Sequence, residues 1–136
     1  MIKYSDIEDA FDYVSSEQPF LHNAILNRKT GKIYYQSEMG DVDEFPEDCD
    51  SGYYVEIPHK NDLGLGRDLV FDFVAISLSE YYDDVIKMFR HRGAYRRYKS
   101  LLESKSLLQQ WYDYENKRTD KALREWCEDN DLNISE

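Results

Sequence analysis

The fold is decided by residues 20–37, FLHNAILNRKTGKIYYQS. Residues 20–26 and 32–37 are typical of two β-strands. The loop between them ends in Gly31, and such a loop indicates a hairpin because glycine tolerates the positive φ that tight turns require. A third strand is predicted over 53–57. Connections this short predict a small antiparallel sheet of three strands.

Helical periodicity is found on both sides of this sheet. Before it, Ser5 and Glu8 have the spacing of a capping box, which predicts a helix start. One apolar stripe follows at helical spacing: Ile7, Ala10, Phe11 and Val14. From residue 67 onward, further apolar stripes predict about four helices, the last of them capped by Thr119.

The order of these elements predicts the fold class. An N-terminal helix, a three-stranded antiparallel sheet and a C-terminal helical subdomain of about four helices make an α+β protein. The 136 residues fit a single domain over 1–136, with the sheet part at 1–58 and the helical part at 59–136. Apolar runs are shorter than the roughly 20 residues that cross a bilayer, and the start lacks a secretory signal. We therefore expect a cytoplasmic protein without a membrane partner.

The charge is divided unevenly along the chain. The net charge is -11, which argues against a protein that coats nucleic acid without specificity. Residues 1–86 carry 6 Lys+Arg against 19 Asp+Glu. Residues 87–105 carry 7 Lys+Arg against 1 Asp+Glu. The positive charge is therefore concentrated in one short segment.

Four stretches of the chain resemble an uncharacterised bacterial protein family, number 0158 in the series of uncharacterised protein families. These are SDIEDAF at 5–11, TGKIY at 30–34, RGAYRRYK at 92–99, and WY at 111–112 together with REWC at 124–127. They span almost the whole chain, so the resemblance implies a full-length single domain. The acidic loop at 38–50 has no counterpart in it. The resemblance implies no particular chemistry.

The basic segment 87–105 is the candidate binding site. On a helix, Arg92, Arg96 and Lys99 fall at i, i+4 and i+7 and share one face. A guanidinium group matches phosphate or carboxylate with two parallel hydrogen bonds. We therefore expect a non-catalytic binding or regulatory protein whose Arg-rich helix face engages an acidic protein or a nucleic acid. The expected contact residues are Arg90, His91, Arg92, Tyr95, Arg96, Arg97 and Lys99.

Three alternatives stay open from the sequence. The arginines can instead pair with the chain's own carboxylates. The protein can be an enzyme acting on a small phosphate or carboxylate substrate, with His91 or a nearby carboxylate as the base. Single-stranded RNA can stack on the sheet face that carries Tyr34 and Tyr54, since both are expected to point away from the core.

No catalytic, cofactor or metal motif is recognised in the sequence. The acidic loop 38–50 does not continue into the ligand pattern of a calcium loop. The turn at 64–66 lacks the third glycine of a dinucleotide fingerprint. We therefore assign no catalytic residue, no metal ligand and no cofactor.

Overall fold

The computed structural model describes residues 1–136, which form five α-helices and five strands. Along the chain these are β1 (Ile2–Lys3), α1 (Tyr4–Ser15), β2 (His22–Asn27), β3 (Ile33–Ser37), β4 (Tyr54–Glu56), α2 (Arg67–Ser77), α3 (Tyr82–Met88), α4 (Ala94–Ser104), α5 (Leu108–Asp129) and β5 (Ile134–Ser135). Short 3-10 turns cover Lys60–Leu63 and Ser79–Tyr81. The predicted α+β class is confirmed. None of the helices combines the length and the apolar character needed to cross a bilayer.

The chain divides into two compact units, which we call the sheet unit and the helical unit. The sheet unit comprises residues 1–63 and 122–136, and the helical unit comprises residues 64–121. The sheet unit carries 6 Lys+Arg against 19 Asp+Glu, whereas the helical unit carries 11 against 9. The prediction of one domain over 1–136 stays a prediction.

The predicted hairpin forms the centre of the sheet unit. The strand order is β3-β2-β4, and β2 pairs antiparallel with both neighbours. Gly31 has a φ of 78°, the left-handed conformation that the hairpin signal anticipated. The Asn27 Oδ1 atom accepts hydrogen bonds from the backbone N–H groups of Lys29 and Thr30, which fixes the loop. The third strand is shorter than predicted and covers only Tyr54–Glu56.

Helix α1 buries the stripe that its periodicity predicted. Ile7, Ala10, Phe11 and Val14 are all in the core. The predicted start was wrong, because Lys3 rather than Ser5 is the N-cap and no side-chain capping bond forms there. Strand β1 pairs in parallel with β5, with Ile2 opposite Ile134. This pairing leads directly into the helix and sets its start.

The helical unit is built around buried aromatic rings. Helix α2 buries its predicted stripe of Leu69, Val70, Phe73 and Val74. The Trp111 ring packs edge-on against Phe73 at 5.4 Å and against Tyr98 at 5.2 Å between ring centroids. The predicted break at Thr119 was wrong, since α5 continues through it. Positions 111, 115, 119 and 123 are four residues apart, so Thr119 continues the inner face of the helix.

Candidate functional site

The basic segment 87–105 lies in the helical unit, where it covers the end of α3, a turn and the whole of α4. The backbone N–H groups of Arg90 and His91 each donate to a carbonyl three residues earlier, at 3.2 Å. Gly93 then adopts a φ of 76° and forms the N-cap of α4. Arg90, His91 and Arg92 are therefore held in a hydrogen-bonded turn that ends in a left-handed glycine.

The predicted common helix face of Arg92, Arg96 and Lys99 does not form. Helix α4 begins at Ala94, so Arg92 precedes it and only Arg96 and Lys99 are helical. The left-handed Gly93 reverses the backbone between them and breaks the periodicity. A Cβ atom placed on Gly93 would lie 3.7 Å from Nη2 of Arg96. The Arg96 guanidinium therefore folds back over the turn that carries Arg92.

All seven expected contact residues are exposed to solvent. Arg90, His91 and Arg92 lie in the surface turn, and the other four lie in α4, whose amphipathic pattern places Tyr98 and Leu102 on the inner face. Both of these side chains are 0% exposed. Because the apolar stripe faces the core, Arg96, Arg97 and Lys99 are directed outward.

The arginines of this segment are not neutralised by the protein's own acids. No carboxylate lies within 4.0 Å of Arg90, Arg92, Arg96 or Arg97. Arg118 in the same unit behaves differently, since it pairs with Asp72 at 3.5 Å and donates to the Tyr114 hydroxyl at 2.6 Å. We call Arg90, Arg92, Arg96 and Arg97 the unpaired arginines.

The aromatic neighbours of the unpaired arginines differ in exposure. Tyr95 is 41% exposed and packs edge-on against Phe89, with 4.9 Å between ring centroids. Burial, followed by the Glu115 carboxylate, raises the pKa of Tyr95 above its ordinary value. The Lys99 ammonium lies 5.6 Å from the centroid of the Tyr112 ring. Tyr98 is fully buried, so of the two tyrosines in this segment only Tyr95 reaches the surface.

The structure does not assemble an acid–base site around a histidine. His91 is exposed in the turn. His59 is buried, and its Nδ1 accepts the N–H of Asn61 at 3.0 Å, which leaves Nε2–H to donate to the Glu17 carbonyl at 2.8 Å. That histidine is a structural crosslink within the sheet unit. His22 stacks on Tyr13, with 4.3 Å between ring centroids.

One cavity of about 150 Å³ lies in the sheet unit, remote in sequence from the unpaired arginines. Its lining consists of Met1, Ile2, Arg28, Lys29, Gly31, Asp131, Leu132 and Asn133. None of the seven expected contact residues is among them. No group of three His, Cys, Asp or Glu side chains is placed to hold a metal ion.

A second cluster, which sequence reasoning found only in part, lies on the three-stranded sheet. Tyr34 pairs with Ile25 and Tyr54 pairs with Asn27, so both tyrosines share one sheet face, as strand alternation predicted. Their ring centroids are 6.2 Å apart. Tyr53 immediately precedes β4, and its ring lies 5.0 Å from that of Tyr54. We call Tyr34, Tyr53 and Tyr54 the tyrosine patch.

Charged side chains complete the tyrosine patch. The Lys29 ammonium lies 4.5 Å from the centroid of Tyr53, and the Lys32 ammonium lies 4.9 Å from that of Tyr34. The Asp48 carboxylate accepts hydrogen bonds from the hydroxyls of Tyr53 and Tyr54. The bond from Tyr53 is the main cause that lowers the pKa of Asp48. In the sequence, the positions of Lys29 and Lys32 beside the hairpin turn were the signal from which these contacts could have been predicted.

No family model, no curated protein and no solved structure matches this chain. The chemistry of the unpaired arginines and of the tyrosine patch therefore carries the functional inference.

Proposed function

We propose that the protein is a non-catalytic binding module that engages an anionic partner through Arg90, Arg92, Arg96 and Arg97. The observation that carries the proposal is that these four guanidinium groups are exposed and have no carboxylate of the chain within 4.0 Å. Membership of family 0158 and a cytoplasmic location belong to the same proposal. They rest on the four resembling stretches and on the sequence features described above.

Guanidinium chemistry defines what such a partner must present. Each arginine offers a rigid set of N–H donors that matches a carboxylate or a phosphate with two hydrogen bonds. Arg96 and Arg97 are consecutive in α4, so their side chains diverge by about 100° around the helix. The turn adds Arg90 and Arg92. This arrangement suits a partner that presents several anionic groups over a surface rather than one small anion in a pocket.

The overall charge of -11 opposes the approach of an anion. Varying the salt concentration distinguishes this long-range repulsion from the local attraction of the unpaired arginines. The Debye length is about 30 Å at 0.01 M salt and about 10 Å at 0.1 M. Raising the salt over that range screens distant carboxylates while direct contacts with the unpaired arginines persist. Above that range, the contacts themselves weaken. We therefore expect affinity for an anionic partner to pass through a maximum as salt increases.

The experiment compares two double variants of equal charge change in the helical unit. Arg96→Ala with Arg97→Ala removes two unpaired arginines, and Lys117→Ala with Lys121→Ala removes two exposed lysines of α5. Alanine favours helix at all four positions, so folding is preserved. Binding is measured by fluorescence anisotropy with two probes, an oligoglutamate peptide and an oligouridylate, over a series of salt concentrations.

We expect the arginine double variant to bind the probe about tenfold more weakly than the wild type does, because each exposed charged contact contributes up to about 1 kcal/mol. The lysine variant should change by less than about twofold. Equal losses in the two variants would show that only net charge matters. If neither probe binds the wild-type protein at any salt concentration, the proposal fails.

A further inference from the structure

The rings of the tyrosine patch already contact two cations, and both are lysine side chains of the protein itself. Tyr53 and Tyr34 each carry a lysine ammonium over the ring, at 4.5 Å and 4.9 Å from the centroid. Both distances fall within the roughly 6 Å range of cation–π attraction. Lys29 and Lys32 thus occupy the positions that an alkylammonium ligand would take. Both lysine side chains are exposed, so they are free to move away.

The patch carries two lysines of its own, but the sheet unit around it is strongly acidic. Asp48 accepts hydrogen bonds from two of the three tyrosine hydroxyls. Such bonds draw the phenol proton toward the carboxylate and increase the negative character of the ring face. Glu56 is exposed and lies two residues beyond Tyr54 in β4, on the same face of the sheet. The sheet unit as a whole carries 19 Asp+Glu against 6 Lys+Arg.

This charge pattern decides between the two ligands that an aromatic sheet face can accept. Single-stranded RNA would be attracted by Lys29 and Lys32 but repelled by Asp48, Glu56 and the excess of carboxylates in the sheet unit. A lysine side chain would meet the ring faces and the carboxylates together. Tyr34, Tyr53 and Tyr54 are half-buried, and partly accessible aromatic rings beside acidic groups form the kind of site that recognises ammonium and methylated ammonium groups.

We propose that the tyrosine patch is a docking site for a lysine-rich segment of a partner protein. A lysyl ammonium of the partner replaces Lys29 or Lys32 over a tyrosine ring, and neighbouring lysines of the partner pair with Asp48 and Glu56. Exposed cation–π contacts shift an equilibrium by only about two- to fivefold, so the chain's own lysines compete without blocking the site. The site is independent of the unpaired arginines, which lie in the other unit and bind the opposite charge.

The first experiment varies the ligand. Oligolysine, oligo(trimethyl-lysine) and oligo(acetyl-lysine) peptides of equal length are titrated into the full chain by isothermal calorimetry. Trimethyl-lysine keeps the charge and the cation–π contact but loses its hydrogen-bond donors, whereas acetyl-lysine loses the charge. We expect the lysine and trimethyl-lysine peptides to bind with affinities within about fivefold of each other. The proposal is overturned by equal binding of the acetylated peptide, or by loss of binding on trimethylation.

The second experiment varies the protein. Lys29→Ala removes a competing ammonium and should strengthen binding of the trimethyl-lysine peptide about threefold. Lys3→Ala removes the same charge from the same unit away from the patch, and its effect should be smaller than about 1.5-fold. Equal effects of the two variants would assign the binding to general acidity and refute the proposal. This comparison leaves the tyrosines and the fold intact.

The third experiment removes the rings. Tyr34→Leu with Tyr54→Leu should weaken binding of the trimethyl-lysine peptide about tenfold. Tyr112→Leu removes a tyrosine that also carries a lysine ammonium, but outside the patch, and should leave the affinity unchanged. Tyr54→Phe keeps the ring and loses only its hydroxyl, so it should retain binding and provides the test if the leucine variant does not fold. Loss of binding in Tyr112→Leu, or binding of oligouridylate at the patch, would contradict the proposal.

Discussion

The strongest stability prediction concerns the hydroxyl of Tyr98 in the helical unit. Tyr98 is 0% exposed, and its hydroxyl is buried without a hydrogen-bond partner. Leaving a polar group buried without a partner costs about 1–3 kcal/mol. Removing the oxygen leaves a void of one atom, which costs only a few tenths of a kcal/mol, on the order of that seen for small cavities. Tyr98→Phe should therefore stabilise the folded protein by about 1 kcal/mol.

The matched control is a tyrosine of the same unit whose hydroxyl has a partner. Tyr114 accepts a hydrogen bond from Arg118 at 2.6 Å, so Tyr114→Phe should destabilise the protein by about 0.5–1 kcal/mol. Both variants delete one oxygen from a tyrosine whose ring packs against Trp111. Urea and thermal denaturation followed by circular dichroism measure the difference. The midpoint temperatures should move in opposite directions, each by about 2–5 °C.

Alkaline pH provides a second measurement of the same group. Burial, followed by the Glu115 carboxylate, raises the pKa of Tyr98 well above its ordinary value of 10.0. Above pH 10 the unfolded chain therefore releases this proton while the folded chain keeps it, so stability falls as the pH rises. Tyr98→Phe removes this contribution, and its advantage over the wild type should grow above pH 10.

A destabilised Tyr98→Phe variant would refute this reasoning. It would show that the hydroxyl has a partner in solution. The Trp111 Nε1 atom is also buried without a partner, and its ring lies 5.2 Å from that of Tyr98. A buried water between the two groups would account for such a result.

Three further predictions follow from single residues. Burial raises the pKa of the Cys127 thiol to about 11, so in the folded protein at pH 8 a thiol reagent should modify Cys49 and leave Cys127 unmodified until the chain unfolds. Gly93→Ala should cost about 1 kcal/mol in urea denaturation because Gly93 has a φ of 76°, whereas Gly52→Ala, whose added Cβ meets nothing within 4 Å, should be neutral or stabilising by about 0.5 kcal/mol. His59→Ala removes the acceptor of the Asn61 N–H and the donor to the Glu17 carbonyl, and should destabilise the protein by about 2 kcal/mol. Modification of both thiols at equal rates, equal costs for the two glycine variants, or a neutral His59→Ala would contradict these expectations.

The sequence predicted those parts of the fold that depend on local periodicity. The stripes in α1 and α2 were found because apolar residues repeat at helical spacing, and the hairpin was found because Gly31 marks its turn. The pairing of β1 with β5 was missed because it joins Ile2 to Ile134 over only two residues, and no local pattern encodes it. Thr119 was mistaken for a cap because threonine occurs both at N-caps and inside helices.

The features of the candidate sites that follow from local sequence patterns were likewise predicted, and those that depend on the path of loops were not. Charge density identified the basic segment, and the exposure of Tyr95, Arg96, Arg97 and Lys99 follows from the amphipathic pattern of α4. The prediction that Arg92 and Arg96 share a helix face was wrong because Gly93 takes a left-handed conformation. A glycine in the sequence permits that conformation but does not require it. Alternation along strands placed Tyr34 and Tyr54 together. The contacts of Lys29 and Asp48 with the rings depend on a loop path and on side-chain rotamers, and periodicity specifies neither.

The net charge of a chain is a poor guide to the sign of its ligands when charge is segregated by unit. At physiological salt, interactions between exposed charges are screened beyond about 8 Å. A ligand that contacts Arg96 and Arg97 therefore experiences those guanidinium groups far more strongly than the sum of -11. A ligand that displaces Lys29 or Lys32 at the tyrosine patch experiences Asp48, Glu56 and the ring faces in the same way. One acidic chain can thus present two surfaces of opposite preference, and a charge substitution at one surface should change binding there and leave binding at the other nearly unchanged.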